Sequence, residues 1–268
     1  MSDKMKHSIR GVGDPALVFV HGFLCRPDDW ASQIAAFSPS HLTINCQLRG
    51  HAGLPVGGAP LTVDALADDL CGLLEDREPN GPILIGHSMG CRIVMEACLR
   101  SSVRPGGMIL IDGSRLGEDT ESAREMYRNA INRAGYNAFV EALFDGMFMG
   151  EHPTWRQALI DGAMQIPSEI GMGLFMDIVK WDCERLEPAL REIEIPTLVI
   201  QSTAMGSGGR RRLAQGEQSQ FQELAMRLAR HCTSVTVHGA GHFCIRDSAA
   251  TVNDAIRDHI ERIHTARQ

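Results

Sequence analysis

Short, uninterrupted apolar runs recur along the chain. Such runs predict strands that are buried on both faces, as in parallel sheets. Six segments qualify, of which the second is the weakest: Ala16–Val20, His41–Leu48, Ile83–Ile85, Met108–Ile111, Thr197–Ile200 and Ser234–Val237.

Helical patterns separate these runs. Thr62 can cap a helix that runs from Val63 to about Asp76, with leucines at helical spacing along one face. A helical pattern also follows Gly90, and Ser248 can cap the last one. Strands that alternate with helices predict an α/β fold with a mainly parallel sheet covered by helices on both faces.

This alternation stops between about Leu116 and Glu192, where the chain has helical periodicity and no strand-like run. We predict a helical cap at 116–190, inserted into a core made of 1–115 and 191–268. The cap is rich in Met and Phe, which is typical both of helix packing and of an adaptable pocket lining. Phe144, Phe148 and Trp181 are its candidate substrate contacts.

Length and composition favour one large folded unit. The chain has 268 residues, of which 44% are hydrophobic and 22% charged, close to the average of folded soluble proteins. Its net charge of −7 offers no broad positive field for nucleic acid or anionic lipid. No apolar run approaches the ~20 residues of a membrane span. The basic run Arg210–Arg212 is interpreted as solvated surface, after a flexible loop at Gly206–Gly209.

The cysteines indicate the cellular compartment, and the histidines indicate whether the chain has a metal site. The polar N-terminus lacks the apolar core of an export signal, and none of the eight cysteines forms a CxxC pair. We therefore expect free thiols in a reducing cytoplasm. His238 and His242 are four residues apart, but the glycines between them argue against a metal site on one helical face. We expect a small-molecule substrate, no metal, no nucleic acid and no membrane, and leave a homodimer open.

A candidate nucleophile lies in the sequence Gly86-His87-Ser88-Met89-Gly90. This segment sits between a short buried strand and a helix, which is the setting that a strained nucleophile turn requires. Gly86 and Gly90 leave room for the tight turn, and the helix that begins at Ser88 favours an anion forming there.

A serine hydroxyl is a poor nucleophile until a base removes its proton. His242 is the best candidate for that base, because it lies in a glycine-flanked loop after the last strand. His87 precedes the nucleophile, so its side chain should point away from the serine. The amides of Phe23 and Met89 could together stabilise an oxyanion.

The sequence resembles the α/β-hydrolase superfamily over nearly its whole length. The resemblance is carried by His21-Gly22-Phe23, Leu48-Arg49-Gly50-His51, the Gly86–Gly90 segment and the Gly239–Phe243 loop. It implies an eight-stranded, mostly parallel sheet flanked by helices, a helical cap inserted after the strand that ends at Asp112, and a Ser–acid–His triad. It does not fix the substrate.

The acid is where this sequence departs from the family. The resemblance places it just after Thr197–Ile200, but no carboxylate follows there before Glu217. Some members carry the acid one strand earlier, which here is Asp112. Asp112 is therefore the leading candidate and Glu217 the alternative. The competing interpretation of Asp112 is a strand-end residue that binds nearby backbone amides.

These residues favour a serine hydrolase of a carboxylic ester or lactone with an apolar or aromatic part, without cofactor. Ser88, His242 and Asp112 would act as the triad, and Phe243 would join the substrate contacts. One alternative is hydrolysis of a carbon–carbon bond in a ring-fission diketone, with Trp181 and Arg92 or Arg115 binding a carboxylate. A perhydrolase or a cofactor-free oxygenase on the same fold is a further alternative.

Overall fold

A twisted seven-stranded sheet forms the centre of the computed structural model, which describes residues 4–58, 60–149, 153–206 and 209–266. The strands are β1 Lys6–Arg10, β2 Leu17–Val20, β3 Thr43–Gln47, β4 Ile83–His87, β5 Gly107–Ile111, β6 Thr197–Gln201, β7 Thr203–Gly206, β8 Gly209–Arg212 and β9 Cys232–Thr236. The order across the sheet is β1-β3-β2-β4-β5-β6-β9. All of its pairs are parallel except β1 with β3.

The structure confirms the α/β class and each of the six predicted strands, with small shifts at their ends. The described residues form seven strands in the main sheet, one fewer than expected. β7 and β8 pair with each other as a separate antiparallel ribbon. Gly206 ends β7 and Gly209 begins β8, so the first and last residues of the flexible loop expected at Gly206–Gly209 belong to this ribbon. Ser207 and Gly208 lie outside the described residues.

Helices cover both faces of the sheet. They are α1 Ala31–Phe37, α2 Val63–Arg77, α3 Met89–Arg100, α4 Thr120–Ala134, α5 Tyr136–Asp145, α6 Arg156–Met164, α7 Ser168–Glu184, α8 Leu186–Glu192, α9 Gln220–Leu228, α10 Cys244–Asp247 and α11 Ala249–Ala266, besides a 3-10 turn at Pro27–Trp30. Thr62 caps α2 as predicted, since its Oγ1 accepts the Ala65 amide at 3.1 Å. Among the described helices, none is long and apolar enough to cross a bilayer.

Alternate residues of each strand face opposite sides of the sheet, so one strand contributes to two cores. In β2, Leu17 and Phe19 join a cluster with residues of α1 and α11. Val18 and Val20 join the other cluster, with residues of α2, α3 and the helices between β5 and β6. Both faces are therefore buried, which is why these strands are continuously apolar.

A buried ion pair fastens the helical insertion, the five helices α4–α8 between β5 and β6, to the core. Arg92 on α3 donates from Nε and Nη2 to Asp182 on α7, at 2.7 and 2.6 Å. The same guanidinium reaches the carbonyl oxygens of Ser88 and Ser114, and Asp182 also accepts the Leu116 amide. The pair thus ties the start of α3 to the chain that leaves β5.

We predict that Asp182→Asn costs about 3–5 kcal/mol of unfolding free energy, because it leaves the Arg92 charge buried without a counter-charge. Urea denaturation followed by circular dichroism measures this. The matched control is Asp254→Asn, which breaks an exposed pair with Arg257 and should cost less than about 1 kcal/mol. Equal losses in the two variants would show that the buried pair does not hold the insertion.

Candidate active site

The turn between β4 and α3 holds Ser88 in a left-handed backbone conformation, with φ 55° and ψ −116°. A residue with a side chain rarely adopts this region, and such strain is typical of functional sites. A Cβ on Gly86 would overlap the backbone of Gly90, and one on Gly90 would overlap the carbonyl of Val20. Only glycine fits at these two positions, so the sequence pattern is dictated by the packing of this turn.

His242 lies in the loop after β9 and is held from two sides. Its Nδ1 is 2.6 Å from Oδ2 of Asp112, and its amide donates to the carbonyl of Met147 at 3.0 Å. Nε2 of His87 donates to the His242 carbonyl at 2.9 Å, and the two rings are 4.7 Å apart. Because His87 is the residue before Ser88, this bond ties the histidine loop to the nucleophile turn.

Asp112 directly follows β5 and has a left-handed φ of 46°. Its Oδ1 accepts the Ser202 amide, the Ser202 hydroxyl and the Thr203 amide at 2.8, 2.9 and 2.9 Å. Its Oδ2 accepts from the Thr203 hydroxyl at 2.5 Å, besides the contact with His242. Asp112 therefore binds nearby backbone amides and also contacts the histidine, as each of the two interpretations requires.

Glu217, the alternative acid, takes other partners. It accepts from the exposed Arg211 side chain and from the Ala214 amide. The structure thus pairs the histidine with Asp112 and places Glu217 at the base of the β7–β8 ribbon.

The basic run Arg210–Arg212 is only in part the solvated surface we expected. Arg211 and Arg212 are exposed, but the Arg210 side chain is only 8% exposed. Its Nη1 donates to Asp112 Oδ2 at 3.2 Å and to Thr203 Oγ1 at 2.7 Å. The prediction was wrong for Arg210 because its burial depends on a carboxylate almost a hundred residues away in the chain.

These contacts set the charges of the site. Burial would raise the pKa of the Asp112 carboxyl, but the hydrogen bond from His242 and the charge of Arg210 hold it well below its usual range. Burial and the charge of Arg210 lower the pKa of His242 to about 3, against the opposing effect of Asp112. A neutral His242 donates from Nδ1 to the carboxylate, which leaves the Nε2 lone pair free to accept a proton.

The turn after β2 passes beside the nucleophile. A Cβ on Gly22 would lie 3.1 Å from Cβ of Ser88, so this residue must be small for the backbone to come close. The backbone hydrogen bonds of the described turns and loops leave the amides of Phe23 and Met89 without an acceptor. Two unengaged donors near the serine are what an oxyanion site needs.

Aromatic rings from the insertion meet the histidine loop. Phe243 stacks on Phe148 at 5.3 Å and on Phe144 at 6.4 Å, and it lies edge-on to His242 at 5.5 Å. The structure therefore brings three of the predicted substrate contacts together beside the base. Trp155, which was not among the predicted contacts, also belongs to this cluster, with its ring 5.6 Å from the ring of Phe243.

A second aromatic group packs on Phe23, in the turn after β2. Phe175 of α7 lies 5.6 Å from Phe23, and the rings of Tyr127 and Phe139 flank Phe175 at 5.1 Å each. The Met- and Phe-rich composition of the insertion is typical of helix packing and of a pocket lining, and the structure shows which of its rings pack against the core.

Trp181 does not join either group. It is 4% exposed, and its Nε1 donates to Oε1 of Glu96 at 2.8 Å, two turns along α3 from Ser88. Trp181 therefore packs between the insertion and the core, and its role as a substrate contact stays a prediction. Arg92 is occupied by Asp182, and Arg115 pairs with Glu118 and Glu187, so these arginines are also committed to structure.

No group of three His, Cys, Asp or Glu side chains suited to hold a metal ion occurs in the described part of the chain. His87 and His242 lie ring to ring, but Nε2 of His87 donates to a backbone carbonyl and Nδ1 of His242 contacts Asp112.

Comparison with known proteins gives the same fold. The model of the alpha/beta hydrolase family matches residues 17–255. The chain is 27% identical to the protein PHYLLO, chloroplastic, of Arabidopsis thaliana, over 54% of this chain and 10% of that protein. It is 22% identical to the dihydrolipoyllysine-residue acetyltransferase component of the acetoin cleaving system of Cupriavidus necator, over 64% of this chain and 47% of that protein. The chain thus spans a tenth to about half of the length of these curated relatives.

Solved structures align over almost the whole chain. A thermophilic esterase from Thermogutta terrifontis has a TM-score of 0.77 and 22% identity, over 97% of this chain and 94% of that one. An enol-lactonase from Burkholderia xenovorans LB400 has a TM-score of 0.78 and 19% identity, over 96% of each chain. At these identities the likeness shows the fold alone.

We predict that Asp112→Asn lowers kcat for a p-nitrophenyl ester by about 10⁴-fold, because an amide no longer holds the histidine in the tautomer that accepts a proton. Steady-state kinetics measure the loss, and circular dichroism verifies the fold. Glu217→Gln is the matched control and should leave kcat unchanged. A near-wild-type rate in Asp112→Asn would exclude Asp112 as the acid that orients His242, and an equal loss in Glu217→Gln would contradict its assignment as the one acid.

Proposed function

The chain belongs to the alpha/beta hydrolase family, and we propose that it is a serine hydrolase of carboxylic esters or lactones. The observation that carries this proposal is the buried pair of His242 and Asp112, bound through His87 to the turn that carries Ser88. A nucleophile, a base and a carboxylate that orients the base are the parts that acyl transfer requires.

In the proposed reaction, the Ser88 oxygen attacks the substrate carbonyl while His242 Nε2 takes the hydroxyl proton. Asp112 stabilises the imidazolium, and the amides of Phe23 and Met89 stabilise the oxyanion. His242 then gives the proton to the leaving alcohol, which breaks the ester bond and leaves an acyl group on Ser88. Water, activated by the same base, attacks this acyl-enzyme and releases the acid.

We further propose that the helical insertion is a cap that shapes the substrate pocket. Its α5 ends at Asp145, two residues before Met147, whose carbonyl accepts from the His242 amide. Its aromatic rings pack on Phe243 and Phe23. Such a lining suits a small substrate that is largely apolar or aromatic. The esterase and the enol-lactonase that share the fold are consistent with this substrate class.

The carbon–carbon hydrolase alternative loses its support in this chain. Trp181, Arg92 and Arg115 would have bound the substrate carboxylate, but all three are engaged by other residues of the protein.

A cytoplasmic location is also part of the proposal, because all eight cysteines are free thiols, as expected in a reducing compartment.

We predict that a fluorophosphonate probe labels the protein at Ser88, because the probe phosphonylates a serine that a neighbouring base activates. Peptide mass spectrometry locates the label. Ser88→Ala and His242→Ala should abolish labelling, whereas Ser102→Ala, at an exposed serine, should not. Labelling that survives Ser88→Ala, or fails in the wild-type protein, contradicts the proposed mechanism.

A panel of substrates tests the class of bond. We expect hydrolysis of p-nitrophenyl esters with short or aromatic acyl groups and of lactones, and no cleavage of ring-fission dienoates. Initial rates, corrected for the rate of Ser88→Ala, give kcat/KM for each compound. Faster turnover of the dienoates than of every ester and lactone would replace the ester proposal with carbon–carbon hydrolysis.

A further inference from the structure

A buried arginine shares the carboxylate that contacts the candidate base. Arg210 reaches Oδ2 of Asp112 with Nη1 at 3.2 Å, and Nδ1 of His242 approaches the same oxygen at 2.6 Å. The hydroxyl of Thr203 bridges the two, because it donates to Oδ2 at 2.5 Å and accepts from Arg210 at 2.7 Å. The Arg210 side chain is only 8% exposed, so solvent screens this charge weakly.

This arrangement changes the electrostatics of the triad. A triad carboxylate normally offsets the charge of the imidazolium that forms during acyl transfer. Here the positive charge of Arg210, which is always present, already neutralises part of the negative charge of the Asp112 carboxylate. A second positive charge within a few ångströms disfavours the imidazolium, so protonated His242 gives up its proton more readily.

We propose that Arg210 is a positioning residue that acts through Asp112, fixing its carboxylate and keeping His242 unprotonated in mildly acidic solution. The kinetic part of this inference rests on the proposed hydrolase function, and the electrostatic part does not. Arg210 touches neither Ser88 nor the imidazole ring by hydrogen bond. It fixes the shared carboxylate by contact, and its charge acts on the imidazole through space.

The segment after β6 brings Arg210 to Asp112. Most members of the superfamily that the sequence resembles carry their acid at this position, and this chain has no carboxylate there before Glu217. In its place, Ser202 and Thr203 donate to Asp112 from both their amides and their hydroxyls, and the ribbon brings in Arg210. The segment therefore holds a carboxylate supplied by β5 and does not supply one itself.

Other titratable groups near the imidazole are neutral or face elsewhere. Burial lowers the pKa of His87 to about 4, and it raises the pKa of Cys244 well above its usual range. Burial likewise raises the pKa of Cys91, under the nucleophile turn, to about 12. Asp247 accepts a hydrogen bond from the Gly241 backbone, with Arg246 and Arg212 near its carboxylate.

The groups around the Arg210 guanidinium do not supply a competing negative charge. Arg92 is paired with Asp182, and burial raises the pKa of Tyr127, which keeps its hydroxyl neutral. Burial and Arg210 are the two largest influences that lower the pKa of His242 to about 3. Arg210 is the part of this effect that a substitution can remove while the loop stays buried.

The kinetic experiment compares three substitutions by the pH dependence of kcat/KM for a p-nitrophenyl ester. In Arg210→Gln, the acid limb should move to higher pH by about one unit or more. Arg210→Lys keeps the charge and should hold the limb close to the wild-type position. Arg211→Gln, at the exposed neighbour that pairs with Glu217, should leave the profile unchanged.

An acid limb that stays in place or moves to lower pH in Arg210→Gln overturns the proposal. So does a limb that moves as far in Arg210→Lys as in Arg210→Gln, because the charge would then not be the cause. Circular dichroism verifies that each variant is folded.

A second measurement needs neither a substrate nor a folded Arg210 variant. In protein labelled with ¹⁵N-histidine, the resonances of His242 are assigned by comparison with His242→Asn and are followed against pH. The wild-type imidazole should titrate below the ordinary value of about 6.5. A midpoint at or above 6.5 overturns the inference about Arg210, whereas failure of fluorophosphonate labelling overturns only the proposed hydrolase function.

Discussion

The hydrogen bond between Asp112 and His242 is the interaction on which the rest of the site depends. It joins the end of β5 to the loop after β9, and both side chains are almost completely buried. Desolvation of this pair is costly, and the amides and hydroxyls of Ser202 and Thr203 offset that cost by satisfying the carboxylate. Because the carboxylate is fixed, the ring of His242 has one orientation and one tautomer.

The fold supplies this geometry at the carboxyl edge of its parallel strands. Ser88 and Asp112 follow β4 and β5, which are neighbours in the sheet, and both adopt left-handed backbone conformations. The Ser88 amide donates to the carbonyl of Ile111, so the two turns are also bonded to each other. Strain at two adjacent strand ends is tolerated because the sheet and its two cores hold the strands on either side.

Much of this could be predicted from the sequence, and what was missed has a common cause. The sequence predicts the buried strands from their apolar runs, and Ser88 and His242 from the glycines around them. Strand β1 has no such run, because it is an exposed edge strand with polar residues. The prediction for Arg210 was wrong because its surroundings come from Asp112, which lies far away in the chain. Contacts between distant segments leave no trace in a local pattern.

The central claim is that Asp112, and no other acid, accepts the Nδ1 proton of His242. The downfield region of the proton NMR spectrum tests this hydrogen bond directly, because a strongly hydrogen-bonded imidazole proton resonates far downfield of the amide protons. The account predicts such a resonance for the Nδ1–H of His242, present in the wild-type protein and in Glu217→Ala and lost in Asp112→Ala. Its persistence in Asp112→Ala, or its loss in Glu217→Ala, would contradict the account.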